Sequence, residues 1–355
     1  MHFIFKTLLT WPAILFFICK PFNSKTIIKA DHSALMKRIL VTGACGQLGS
    51  EIVTFLHELQ AGYKLVASDV REEASIFPEG VSYEHFDVTD AERLQELLQE
   101  YHIDAVFHLA AILSAKGEQY PHLTWQINME GLTHLLEAAR ARSTLKIFWP
   151  SSIAVFGPST PKQAPQVTQM EPRTMYGITK LAGEHLCNYY HNKFGVDVRS
   201  LRYPGLVSYR TAPGGGTTDH AVELYRQAVE KSDYNCFLDK ATTLPFLYMP
   251  DAVRATVELM QAPAEQIKIR RSYNISGFSA TPALIAGEIM KIYPDFRVNY
   301  RPDFRQAIAD SWPDSIDDSS ARNDWNWQAE FDLPAMSQDM LRNLHAVRQA
   351  ELTED

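Results

Sequence analysis

The sequence predicts an α/β fold, a parallel sheet covered by helices on both faces, with a smaller lid interleaved in its second half. Two observations carry this expectation. From Met36 onward, short apolar runs alternate with stretches of helical period, and the first run opens into a glycine-rich turn. Strands that alternate with helices predict parallel pairing through crossover connections. Lys37–Thr42 is the first strand, and the stripe Leu48, Ile52, Phe55, Leu56 and Leu59 makes 47–60 a helix. Lys64–Asp69 reads as the second strand and Tyr83–Val88 as the third, with a helix over Ala91–Tyr101. Ala105–Leu109 is a fourth strand, Trp125–Arg140 a helix and Lys146–Pro150 a fifth strand. A long helix over Tyr176–Phe194 leads to a sixth strand at Asp197–Arg202. Together these describe a Rossmann-type doubly wound sheet.

Composition narrows the function classes. At 355 residues, 46% hydrophobic and 21% charged, the chain is a folded globular protein rather than a disordered one. A net charge of −8 with no basic stripe argues against nucleic-acid partners. Cys19, Cys45, Cys187 and Cys236 are too widely spaced for a zinc pair, and a disulfide framework is not expected in a chain this long, so a reducing compartment is. Asp314, Asp317 and Asp318 cluster, but a solvated turn and helix cap accounts for them, and no metal is expected. Residues 1–35 stand apart: Met1 to Ala30 hold four lysines, no arginine and no acid. The apolar run Leu8–Cys19 is too short for a span of about 20 residues. Two readings of this leader stay open. Either Met36 is the true start and the protein is cytoplasmic, or the leader is a transit peptide and the protein belongs in the mitochondrial matrix. No membrane partner is expected for the remainder.

The first turn, Gly43-Ala44-Cys45-Gly46-Gln47-Leu48-Gly49, joins a strand to a helix. Gly43 permits the tight turn, Gly46 lets backbone N–H groups approach a pyrophosphate, and Gly49 allows close helix packing. Gln47 and Leu48 belong to the same cradle. Asp69 lies 20 residues beyond Gly49 at the end of the second strand, where a carboxylate accepts from ribose hydroxyls and repels a 2′-phosphate. NAD is therefore the expected cofactor, although Arg71 pulls the other way.

The GxxGxxG spacing resembles the extended short-chain dehydrogenase/reductase family, and further segments match in order and spacing. Asp87-Val88 resembles the pair that receives the adenine, and His108-Leu109-Ala110-Ala111 resembles the motif beside the cofactor. Arg202-Tyr203-Pro204-Gly205 resembles the segment that positions the nicotinamide. Tyr176 and Lys180 form the YxxxK pair, four apart on one helix face. A free phenol has a pKa near 10, and a neighbouring ammonium with a bound nicotinamide cation is expected to bring it to about 7, where it removes a hydroxyl proton. The resemblance implies that Lys180 also bonds the nicotinamide ribose. Matching Ser152-Ile153-Ala154-Val155-Phe156-Gly157 to the family pattern makes Ser152 the active-site hydroxyl, with its neighbour Ser151 the alternative register.

Dehydratases of this family carry an acidic pair just after the serine, where this chain has Ile153 and Ala154, which cannot move protons. In the second half, Gly214-Gly215-Gly216-Thr217-Thr218-Asp219 is a glycine hinge followed by two hydroxyls and a carboxylate. Such a loop suits a small zwitterionic substrate with Asp219 near its ammonium. This loop, the Pro150–Pro158 segment and Ser311-Trp312-Pro313-Asp314-Ser315 resemble the L-threonine 3-dehydrogenases of the family, over about residues 37–345. The resemblance implies NAD-dependent oxidation of the threonine side-chain hydroxyl to 2-amino-3-ketobutyrate, with Ser114, Ser152, Tyr176, Thr217, Thr218 and Asp219 touching this amino-acid substrate. A nucleotide-sugar epimerase and a non-catalytic NAD-binding regulator are the alternatives. The expected cofactor domain spans 36–205 plus about 244–262, and the lid about 206–243 and 270–345. Apolar faces on the Trp125 and Tyr176 helices suggest a homodimer.

Overall fold

The computed structural model describes residues 36–72 and 76–352, so the readings made for residues 1–35 lie outside the described residues. The first half runs β1 (Arg38–Thr42), α1 (Gln47–Glu58), β2 (Lys64–Asp69), β3 (Ser82–His85), α2 (Ala91–Glu100) and β4 (Ala105–His108). Short helices α3 (Ser114–Gln119) and α4 (Pro121–Trp125) then precede a π-helical turn at Gln126–Glu130 and α5 (Gly131–Ala141). Next come β5 (Lys146–Ser152), β6 (Gln163–Ala164), α6 (Met175–Phe194), β7 (Asp197–Tyr203) and β8 (Gly205–Val207). The second half adds α7 (His220–Glu230), β9 (Asp233–Cys236), β10 (Leu244–Tyr248), α8 (Met249–Gln261), β11 (Tyr273–Asn274) and β12 (Phe278–Ala280). It closes with α9 (Pro282–Met290), β13 (Arg297–Tyr300), α10 (Arg305–Asp310), β14 (Ser315–Ile316), α11 (Ser319–Trp325) and α12 (Leu333–Leu352).

Seven strands pair in the order β11-β7-β5-β4-β1-β2-β3, every pair parallel. The chain leaves β1 toward β3 and then returns to β4 on the other side of β1. The order thus reverses between β1 and β4, and ligands of such sheets lie outside the strands' carboxyl ends at that point. The central strand β1 is apolar on both sides because both faces are covered: Ile39 and Val41 join α1 and α8 in one core cluster, while Leu40 faces α2 and α5 in another. Each such fully buried aliphatic side chain contributes about 1.5–3 kcal/mol.

A second, smaller sheet in the order β12-β10-β8 closes a separate core with α7, α9 and α12 through Val207, Tyr225, Phe246, Ile285 and Met340. By contrast, α8 returns to the large sheet, where Val253 and Val257 pack with Ile52 and Leu56 of α1. Within the stretch 270–345, β11 is the edge of the large sheet, and Tyr273 packs edge-on against Trp325. Among the described residues, no helix is long and apolar enough to cross a membrane.

Two elements differ from the sequence reading. The third strand ends at His85, so Asp87 sits in a turn where its Oδ1 accepts from the Thr89 N–H at 2.9 Å. The helix expected over 125–140 is instead assembled from α4, the π-turn and α5, because the wide turn makes room for the inward amide of Asn128.

Candidate active site

The carboxyl edge of the sheet gathers most of the residues singled out in the sequence. Gly43 has φ +68°, and a Cβ there would lie 2.6 Å from the Ala110 backbone nitrogen. A Cβ on Gly49 would lie 2.4 Å from the Gly43 carbonyl oxygen, so α1 rests directly on the turn. Gly46 is different, since a Cβ there meets only the Gly43 oxygen, at 3.1 Å. Its missing side chain leaves a cradle in front of α1. No side chain caps this helix and its first turn has no acidic residue. The N–H groups near Gln47 and Leu48, with the positive end of the helix dipole, therefore face an uncompensated space fit for a pyrophosphate.

Asp69 closes the cradle, its Oδ2 accepting from the Cys45 N–H at 3.0 Å. Arg71 turns back toward this loop and donates to the Cys45 carbonyl at 3.3 Å. Val88 is buried and a Cβ on Gly131 would lie 2.9 Å from its Cγ2, whereas Asp87 is exposed. Leu109, Ala110 and Ala111 form the half-buried loop after β4, with the Leu109 N–H donating to the Thr42 carbonyl at 3.0 Å. His108 shares a 2.9 Å hydrogen bond between Nδ1 and Thr42 Oγ1, while its buried Nε2 has no partner. Burial, with the Lys180 charge second, holds its pKa down at about 3, so the ring stays neutral. These groups fit NAD: a glycine cradle at a bare helix start, a carboxylate for the ribose and an apolar wall.

Close packing of α6 on β5 sets the reactive corner. Cβ atoms on Gly177 and Gly183 would lie 2.2 Å from the Ala154 carbonyl oxygen and 2.4 Å from the Trp149 ring. Thr174 caps the helix, accepting from the Gly177 N–H at 3.1 Å. Side chains alternate along β5, so its two serines diverge. Ser151 donates to Glu184 Oε1 at 2.6 Å, inside a buried pair in which Arg202 grips both Glu184 oxygens at 2.7 Å. Ser152 points the other way, toward Tyr176, and accepts from the Ala154 N–H at 3.2 Å. The register that names Ser152 is the one that meets Tyr176.

Lys180 is buried, donates to the Pro150 carbonyl at 2.6 Å and lies 5.4 Å from the centre of the Tyr176 ring. Burial lowers its pKa to about 7, against the opposing pull of Cys187 and Glu184. From the protein's own groups alone, burial pushes Tyr176 up to about 12, and only the neighbouring Ser152 hydroxyl works against it. The cause is geometric. The ammonium is moored on the Pro150 carbonyl, so desolvation dominates at the phenol.

Sequence reasoning missed Asn128. Its Oδ1 accepts from the Ile112 N–H at 2.8 Å, and its Nδ2 donates to the Ile112 carbonyl and to Thr179 Oγ1, both at 3.1 Å. This amide ties the loop after β4 to the residue beside Lys180. The available signal was a polar residue at an inward position of an apolar helical pattern.

The remaining predicted residues are more spread out. Tyr203 packs inward, its hydroxyl bonded to Thr256 and its ring edge-on to Phe148, so its side chain belongs to the core. Pro204 is buried beside it. Ser114 opens α3, which reaches α6 where Glu118 accepts from the Met175 N–H at 2.7 Å. Thr218 Cγ2 would lie 2.8 Å from a Cβ on Gly205, which follows the Tyr203 that pairs with Ser152. Thr217 is buried and accepts at its carbonyl from His220 Nδ1 at 3.2 Å. Asp219 folds onto its own loop, accepting from the Gly216 N–H at 2.8 Å. The three tail carboxylates are engaged locally: Asp314 pairs with Lys162, Asp318 with Arg322, and Asp317 accepts from the Ser319 N–H.

Comparison with known proteins agrees with this geometry. The family model described as "NAD dependent epimerase/dehydratase family" matches residues 39–276. An L-threonine dehydrogenase from Cupriavidus necator, solved in its holo form, is 50% identical with a TM-score of 0.84, covering 86% of this chain and 99% of its own. The Clostridium difficile L-threonine dehydrogenase is 45% identical with a TM-score of 0.85, covering 88% and 98%. An uncharacterized epimerase/dehydratase of Staphylococcus aureus is 46% identical over 309 residues, 86% of this chain and 96% of that protein. The chain therefore belongs to the NAD-dependent epimerase/dehydratase family, as an NAD-dependent oxidoreductase on the branch that includes these L-threonine dehydrogenases.

Proposed function

We propose that this oxidoreductase converts the side-chain hydroxyl of L-threonine to the ketone of 2-amino-3-ketobutyrate. The carrying observation is that the Ser152 hydroxyl sits beside Tyr176, where it favours the phenolate, while Lys180 lies beneath the Tyr176 ring. Bound NAD would supply the hydride acceptor for the carbinol carbon. Ser152 orients the substrate oxygen, because a hydroxyl both donates and accepts. Tyr176, ionised, takes the hydroxyl proton. Lowering its pKa from about 12 to neutrality requires about 7 kcal/mol. A cation at about 5 Å supplies about 3 kcal/mol at an effective dielectric near 20. The positive ring of a bound cofactor would supply part of the requirement, and the rest requires Lys180 to leave the Pro150 carbonyl and approach the phenol oxygen. Ile153 and Ala154 are buried and apolar beside Ser152, which favours oxidation over elimination of water. In this reading the lid begins after Gly205, and Ser114, Thr217, Thr218 and Asp219 line the amino-acid site, with Asp219 turning toward the ammonium.

Tyr176→Phe should lower threonine-dependent NADH formation about a thousandfold while NADH affinity, read by fluorescence, stays within about twofold. Turnover within about tenfold of wild type would show that another group takes the proton. No NADH formed from threonine by the wild type would end the substrate assignment. We also read exposed Ile178 and Tyr189 on α6, beside Leu123 and Trp125, as a homodimer face. Sedimentation velocity checks it, since a monomer at micromolar concentration contradicts it.

A further inference from the structure

The segment that enters the glycine loop is tied to the helix that starts at the cofactor cradle. Glu51 lies on α1, five residues past Gly46, and its side chain is 13% exposed. Its Oε1 accepts from Ser208 Oγ at 3.0 Å, and its Oε2 pairs with Arg210 Nη1 at 3.3 Å. Ser208 Oγ in turn accepts from the Arg210 N–H at 3.2 Å, which closes a small ring of bonds around the carboxylate. The next residue is fixed from the far side, where Arg226 of α7 donates to the Tyr209 carbonyl at 2.8 Å. Residues 208–210 are thus held between the cofactor helix and the helix that follows the loop. Beyond them the packing stops: a Cβ on Gly214 or Gly215 would meet no heavy atom within 4 Å. The chain is gripped again at Gly216, by Asp219.

We infer that Glu51 is a positioning residue for the substrate loop, fixing the root of 211–216 to the helix that carries the cofactor cradle. This rests on the reading that Thr217, Thr218 and Asp219 touch the substrate. Glu51 touches neither ligand and acts through Ser208 and Arg210. Because α1 begins at the pyrophosphate cradle, a bound dinucleotide steadies the helix, and through Glu51 it steadies the loop. Substrate is then held more tightly by the NAD-loaded protein.

The test compares Glu51→Ala, Glu51→Gln and Ser208→Ala with wild type. Glu51→Ala should raise KM for threonine about tenfold, the effect of losing one charge-assisted hydrogen bond, with kcat within about twofold. NADH affinity by fluorescence should stay within about twofold. Glu51→Gln, which keeps an acceptor for Ser208, should recover part of the loss. Hydrogen exchange at 211–216 should be faster in Glu51→Ala than in wild type, with and without NADH. Unchanged KM and unchanged exchange would overturn the inference, as would a loss of NADH affinity equal to the rise in KM, which makes Glu51 part of the cradle alone. If the wild type does not oxidise threonine, the exchange measurement still decides the clamp. If Glu51→Ala does not fold, the milder Ser208→Ala carries the same two readouts.

Discussion

Gly43 and Gly49 are enclosed by backbone, whereas Gly214 and Gly215 stand in open space. A Cβ on Gly49 would lie 2.4 Å from a carbonyl oxygen; one on Gly214 or Gly215 would touch nothing within 4 Å. The sequence reads the first triplet as a tight ligand turn and the second as a hinge, and the space around their glycines differs accordingly. In the first, glycine is required because helix, strand and the loop after β4 crowd into one place, which yields a preformed cradle. In the second, glycine keeps a strap free to reposition between two anchors. Under the proposed function, the fixed turn would hold the large common ligand and the open loop would select the small one.

The strongest way to break this contrast is Gly49→Ala. The added methyl overlaps backbone, which cannot rotate away, so α1 must shift off the turn. Overpacking of this kind costs about 1–3 kcal/mol and misaligns the first-turn N–H groups. NADH affinity should fall at least about tenfold and Tm should drop by several degrees. A variant with wild-type affinity would mean that the cradle is as yielding as the loop.

A smaller effect separates the regions through their buried histidines, His108 at the cradle and His220 at the loop. Burial holds them at about 3 and about 4, against 6.5 in a free side chain. For a depressed pKa the unfolded state binds the extra proton. The neutral rings therefore stabilise the fold fully above pH 6.5 and lose that contribution as pH falls toward the folded values. At pH 5 each histidine should account for about 2 kcal/mol of lost stability relative to pH 7.5. Urea midpoints at the two pH values read the loss, and His220→Gln should reduce it by about 2 kcal/mol. Equal loss in that variant and the wild type would mean that His220 is not buried as a neutral ring.

Much of this was legible. The strands of the large sheet have continuous apolar runs, the α1 stripe has a clear period, and Tyr176, Lys180 and Ser152 sit at spacings that bring them to one corner. What stayed hidden depends on neighbours distant in sequence. The divergence of Ser151 from Ser152 is settled only by Glu184 and Arg202 on the other face of β5. The two-residue strands β6 and β14 pair with each other across about 150 residues, too short for any pattern to register. Glu51 looks like an ordinary solvent-facing helix residue until Ser208 and Arg210 fold over it. The ammonium's mooring was hidden as well, because spacing places the lysine nearby but does not show that it is held on the Pro150 carbonyl.

The finest distinction lies within the second triplet. Gly215 has φ +91°, a region that side chains other than glycine rarely adopt, although space around it is open. Gly215→Ala should therefore cost about 1 kcal/mol through backbone strain alone, and the cost should fall on the loop's position. Gly214 has neither a positive φ nor a close neighbour, so Gly214→Ala should leave Tm unchanged to within about a degree. Its one effect is to narrow the open loop's conformations, which reduces the entropy lost on closure. KM for threonine should then be equal to wild type or slightly lower for Gly214→Ala, and about fivefold higher for Gly215→Ala. Matching increases in both variants would mean that the strap needs flexibility at each position rather than one left-handed residue, and steady-state kinetics with NAD saturating distinguishes the two.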